Sequence, residues 1–149
     1  MKTLQEILDE SAQDAGPAMA ATFARDDRRL DAEAFREFWR GTRMFAVSTV
    51  GAKGDPHIAP VHVLLQDDDT LEMGIFEDSV RLRDLRRNPR IAITTWGEEG
   101  RVAIVYGTCS EVPESRRPIT AGGNLSSDRY IITMRIEMTR AYAMHPRRG

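Results

Sequence analysis

Hydrophobic positions along the chain recur first at helical and then at strand spacing, with the change near residue 43. Leu4, Ile7 and Leu8 follow the capping-box pattern Thr3-Leu4-Gln5-Glu6, which predicts a first helix ending before Gly16-Pro17. Residues 18–29 are ambiguous, because Ala and Met suit a helix whereas 25–29 is mostly charge. Asp31 reads as a second N-cap, with Leu30 and Phe35 placed to form a hydrophobic staple. Phe35, Phe38 and Trp39 then make an apolar stripe on a helix running to about Arg40. Such a stripe is more often core or dimer packing than a ligand box.

Beyond residue 43 the pattern is extended, and it predicts strands over 44–50, 57–65, 71–76, 90–96, 101–112 and 130–143. Turn-rich text separates them: 51–56, the acidic triplet 67–69, and the hairpin loop 97–100. Residues 113–128 read as a polar loop with at most one helical turn, and 145–149 as a loose tail. The acidic triplet is expected to be a solvated turn, since no further ligands follow at calcium-loop spacing. Six short strands joined mainly by hairpins define a mainly β chain: an antiparallel six-stranded barrel (43–149) with an N-terminal helical segment (1–42) and one inserted helix. Closure of a barrel removes the sheet edges that invite aggregation.

The inserted helix carries the most informative chemistry. Ser79 is a preferred N-cap, and Pro89 stops the helix after about two turns. Arg81 and Arg83 occupy its first turn, where the helix dipole disfavours cations, and a bound anion reverses that penalty. At 100° per residue Arg83, Arg86, Arg87 and Arg90 share one face, whereas Arg81 lies beside the Leu82 and Leu85 stripe. Arg81 therefore reads as a phosphate clamp. The competing reading is an ordinary soluble surface, with Glu77 and Asp78 already supplying negative charge at this helix start.

Composition narrows the classes. The 149 residues suit one domain with a self-sufficient core. A net charge of −2 and a pI near 5.9 argue against bulk nucleic-acid affinity, and the basic helix lacks interleaved aromatics. Cys109 stands alone in an apolar run, so an internal disulfide is excluded and a buried thiol is expected. Residues 1–13 carry Glu6, Asp9 and Glu10, unlike a signal peptide, and no apolar run approaches the roughly 20 residues that span a bilayer. A cytoplasmic protein with no membrane partner is the expectation.

The order of parts resembles the pyridoxamine 5′-phosphate oxidase-like family, the flavin-binding split barrels. The matching text is Gly54-Asp55-Pro56-His57 with Pro60-Val61, then Ser79-Val80-Arg81, Asn88-Pro89-Arg90-Ile91 and Val105-Tyr106-Gly107, together covering roughly 43–112. The resemblance implies a split barrel that binds FMN at a homodimer interface. It also implies a phosphate site at Ser79, Val80 and Arg81, and a flavin lying along Val61, His62 and Val63 and the strand end Gly74, Ile75 and Phe76. Trp96 is either a cover for the flavin from the partner chain or a core or dimer contact. Pro60 suits a strand edge or bulge, where a ligand reaches free backbone groups.

Two departures count against vitamin B6 oxidation. Residues 59–64 contain no Arg or Lys, and Arg140 and His145 stand near the end without the oxidase's substrate-binding pattern. Arg83 or Arg101 is left to supplement Arg81. His62 either bonds to the ring or substrate or is simply packed, His57 is expected to face solvent, and the two are too isolated for a zinc site. No catalytic residue and no metal ligand is assigned. The readings carried forward are an FMN-dependent oxidoreductase or flavin reductase acting on a small molecule, a deazaflavin-dependent reductase of the same fold, and a non-catalytic flavin-binding or stress-related module.

Overall fold

The structure, a computed structural model, describes residues 1–119 and 129–146. Among the described residues the helices are α1 (Leu4–Gln13), α2 (Pro17–Ala21), α3 (Ala32–Arg40) and α4 (Val80–Arg87). The strands are β1 (Phe45–Val50), β2 (Pro56–Val61), β3 (Leu64–Leu65), β4 (Leu71–Phe76), β5 (Arg90–Trp96), β6 (Val102–Glu111), β7 (Arg117–Pro118) and β8 (Tyr130–Met144). They form one antiparallel sheet in the order β2-β1-β5-β6-β8-β4-β3, with β7 added alongside β8. Its curl makes the split barrel.

The caps behave as their residue types dictate. Thr3 and Glu6 form a reciprocal capping box, and the Asp31 carboxylate accepts from the Ala34 N–H at 2.8 Å. Residues 18–29 hold only the single turn of α2, which Pro17 opens. The α3 stripe is core: Phe35, Phe38 and Trp39 are buried, and Trp39 stacks between Phe35 and Phe45 at 5.4 and 4.4 Å. Asp68 and Asp69 of the acidic turn are held by the protein itself. Asp68 accepts from the Thr70 N–H and hydroxyl, and Asp69 takes two 2.7 Å bonds from Arg36.

Two expectations about strands are corrected. The strand foreseen over 57–65 breaks at His62 and Val63. There the Val63 carbonyl accepts from the Trp39 indole N–H at 3.0 Å, and the His62 Nδ1–H bonds the Arg43 carbonyl at 2.6 Å. Both bonds draw the chain off β1, so that β3 pairs with β4 instead. Secondly, the loop foreseen over 113–128 contains β7, which brings the strands among the described residues to eight rather than six. The remainder of that loop, from 120 to 128, and the tail at 147–149 lie outside the described residues. His145 donates its N–H to the Arg28 carbonyl, so the start of the tail is tied down.

Among the described residues no helix is long and apolar enough to cross a membrane. Cys109 is half-buried, packed against the core, and this burial pushes its thiol up to about 12. Just before it on the same strand, β6 slips register against β8 between Tyr106 and Gly107. A side chain at Gly107 would put its Cβ 2.4 Å from the Glu137 carbonyl oxygen, so the bulge needs glycine for close approach.

Candidate functional site

The site is built around the junction of β4 and α4. Ser79 caps α4 by accepting from the Leu82 N–H at 3.2 Å. The Val80 and Arg81 N–H groups lie in the first turn, where an α-helix offers no internal acceptor. Leu82 and Leu85 anchor the helix in the core, while Val80 is exposed and Arg81 is half-buried. The Arg81 Nε is enclosed by protein yet has no hydrogen-bond partner among the described residues. A guanidinium nitrogen taken from water and left unpaired is costly, so the donor set fits an anionic ligand.

Neighbouring acids do not cancel this positive end. Glu77 is bound by Arg116 at 2.5 Å, which holds its carboxyl below the usual carboxylate range, and Asp78 by Arg129 at 3.1 Å. The same two arginines stack on aromatic rings, Arg116 over Tyr130 at 3.6 Å and Arg129 over Phe76 at 4.4 Å. Arg117 donates to the Thr133 hydroxyl at 2.9 Å, and its Nη2 lies 3.7 Å from where a Cβ on Gly74 would sit. Extra cations near this junction thus come from the stretch around β7 and from the start of β8. Arg101 is not among them: it lies over Phe38, in a hollow lined by Arg29, Asp31 and His145.

The expected site residues divide into groups. Phe76, Ser79, Val80 and Arg81 come together at the junction, with Gly74 on the outer face of β4 behind Phe76. Val63 and Ile75 turn their side chains into the core, at 2% and 1% exposure, so only their backbones face any ligand. Val61 ends β2 half-buried against the core, and His62 is exposed, with Nδ1 committed to Arg43. Trp96 is 69% exposed and lies elsewhere, in an apolar cleft of about 460 Å³ with Met44, Ala46, Ile58, Pro60 and Thr94. Pro60 does sit on a sheet edge, since β2 has β1 on one side and, among the described residues, no partner strand on the other.

A second cluster was missed by the sequence reading. Asp84 on α4 is buried, with a side chain only 3% exposed. Its Oδ2 accepts from the Thr49 hydroxyl at 2.8 Å and meets His57 Nδ1 at 2.6 Å, while Arg87 Nη1 lies 3.8 Å from Oδ1. Burial alone would raise this carboxyl, but the hydrogen bonds from His57 and Thr49 outweigh it and hold the group below its ordinary value. His57 is therefore a partner of a buried carboxylate rather than a solvent-facing turn residue. Asp84 follows Arg81 by three residues and so shares its helix face, but its partners Thr49 and His57 lie 35 and 27 residues away, beyond any local pattern. Arg116, Arg117 and Arg129 had no local signal either.

Residues 31–145 match the family described as pyridoxamine 5′-phosphate oxidase, and the chain belongs to that family. No curated protein matches it. Solved structures share the fold at low identity. A conserved hypothetical protein from Mycobacterium tuberculosis is 17% identical, with a TM-score of 0.66 over 84% of this chain and 94% of its own. A FAD-binding protein from Mesorhizobium loti is 16% identical, with a TM-score of 0.61 over 80% and 98%. An F420 reductase is 20% identical, with a TM-score of 0.50 over 64% and 86%.

Proposed function

We propose that the chain is a flavin-binding oxidoreductase or flavin reductase that holds FMN at the β4–α4 junction and works as a homodimer on a small molecule. The enclosed, unpartnered Arg81 Nε at a capped helix N-terminus carries the reading. Arg81 and the free first-turn amides would hold the phosphate, with Glu77 and Asp78 kept from repelling it by Arg116 and Arg129. The free edge of β2 and the outer face of Gly74 and Phe76 offer backbone groups and apolar surface to a planar ring. When bound, the flavin supplies hydride or electron transfer, while the protein orients it and excludes water.

The dimer is supported by large apolar side chains left in solvent, among them Ile58 at 72%, Trp96 at 69% and Val80 at 54% exposure. A surface of this kind is commonly covered by another chain. Neither the basic strand nor the C-terminal pattern of the vitamin B6 oxidases is present in the sequence, so that substrate is not proposed. Titration of FMN fluorescence with purified protein should show saturable quenching; no saturation at high micromolar concentration would overturn the assignment.

A deazaflavin coenzyme is the second reading, favoured by the shared fold of the F420 reductase. Parallel titrations separate the two, since a large preference for the deazaflavin contradicts FMN.

A further inference from the structure

Three elements meet at one carboxylate. Asp84 belongs to α4, Thr49 to β1 and His57 to β2, and Thr49 and His57 are register partners across the β1–β2 pair. Among the described residues, no strand pairs with the outer side of β2. Gly51, in the hairpin that joins β1 to β2, lets the His57 ring lie close: a Cβ there would come within 2.9 Å of His57 Cε1. The ring is thereby pressed between hairpin and helix, with Nδ1 aimed at Asp84 and the side chain still 40% exposed.

Asp84 is one helical turn beyond Arg81, on the same face. A displacement of Asp84 therefore moves the Arg81 guanidinium and the first-turn amides along with it. We infer that His57, Asp84 and Thr49 form a clamp that holds the first turn of α4 in its anion-binding position, so that His57 sets cofactor-phosphate affinity without touching the cofactor. His57 and Asp84 are positioning residues in this scheme. The inference rests on the FMN reading given above.

The cluster has the features of a positioning device. A buried carboxylate satisfied by a hydroxyl and a ring nitrogen has few alternative arrangements, because breaking either bond leaves the charge underpaired. The bond to His57 is the shorter of the two and draws on an ionised acceptor, the stronger class of hydrogen bond. Thr49 fixes the carboxylate to β1, the strand next to the sheet edge, and His57 then fixes the edge strand β2 to the helix. The phosphate site and the ligand-facing edge of β2 are thus set in relation to each other.

The test compares FMN and riboflavin, which differ by the phosphate, on wild type, His57→Ala and His57→Asn, with folding checked by circular dichroism. Asn can place an amide N–H near the position of Nδ1. His57→Ala should weaken FMN about tenfold, the scale of one charge-assisted hydrogen bond, and riboflavin less than about twofold. His57→Asn should restore most of the FMN affinity. If His57→Ala does not fold, Thr49→Val is read in the same way and should show a smaller loss with the same FMN bias. Equal losses for both ligands, unchanged FMN affinity, or no rescue by Asn would overturn the clamp. Wild type that fails to bind FMN would instead overturn the functional reading on which the clamp depends.

Discussion

Trp39 donates its indole N–H to the carbonyl of Val63 at 3.0 Å, across 24 positions of sequence. The donor is on α3, in a ring that is 1% exposed, and the acceptor lies in the break between β2 and β3. One hydrogen bond therefore ties the N-terminal helices to the point where the strand leaves β1 and crosses to β4.

Replacing Trp39 by Phe leaves the buried Val63 carbonyl without its donor and opens a small cavity. The expected cost is about 1–3 kcal/mol, which lowers the melting temperature by several degrees in a domain of this size. Thermal unfolding followed by circular dichroism reads it directly, and an unchanged melting point would remove Trp39 from this role.

The acid limb of stability should depend on Asp84. Its carboxyl is held below the ordinary value near 3.8, so the ionised form contributes stability that is complete above that value. The contribution is lost as pH falls through the lower, folded-state value. Urea midpoints should therefore drop between about pH 5 and pH 2 in wild type, and drop less steeply in Asp84→Asn, which is less stable at neutral pH. Parallel acid limbs in the two proteins would contradict the buried ionised carboxylate.

Gly107→Ala should be among the most damaging single-methyl changes in the barrel. The added Cβ meets the Glu137 carbonyl oxygen at 2.4 Å and Ile136 Cγ2 at 2.9 Å, and the first of these is backbone. A cost of about 3 kcal/mol or more is expected, with loss of soluble yield. A variant as stable as wild type would show that the bulge can open.

Cys109 should resist alkylation in the native protein. With its thiol pushed up to about 12, almost none is thiolate at pH 8. Iodoacetamide should label it slowly in buffer and rapidly in urea, and equal rates would place the thiol at the surface.

The fold was legible where local rules dominate. Thr3, Asp31 and Ser79 cap helices as their side chains dictate, and the strands 71–76 and 90–96 fall where the apolar pattern puts them. What escaped was set by contacts distant in sequence. The break at His62 depends on Trp39 and Arg43, and β7 exists only through its pairing with β8. At the junction, Ser79 and Arg81 could be named because a helix start has a local code. The pairing of Glu77 and Asp78 with Arg116 and Arg129 joins residues 39 and 51 positions apart, and no periodicity reports it. His57 was misjudged for the same reason. Its place after a turn suggested solvent, whereas the partner that defines it lies 27 residues further on.

Arg86, on the basic face of α4, pairs with Glu111 at 2.6 Å, whereas Arg83 has no carboxylate within ion-pair distance among the described residues. Arg83 is thus the matched exposed cation. The most direct measurement is the affinity of Arg81→Ala for FMN and riboflavin, with Arg83→Ala beside it. Arg81→Ala should lose FMN affinity about 10- to 100-fold while riboflavin changes little, and Arg83→Ala should leave both near wild type. Equal losses of FMN and riboflavin in Arg81→Ala, or no loss of either, would contradict a phosphate held at the first turn of α4.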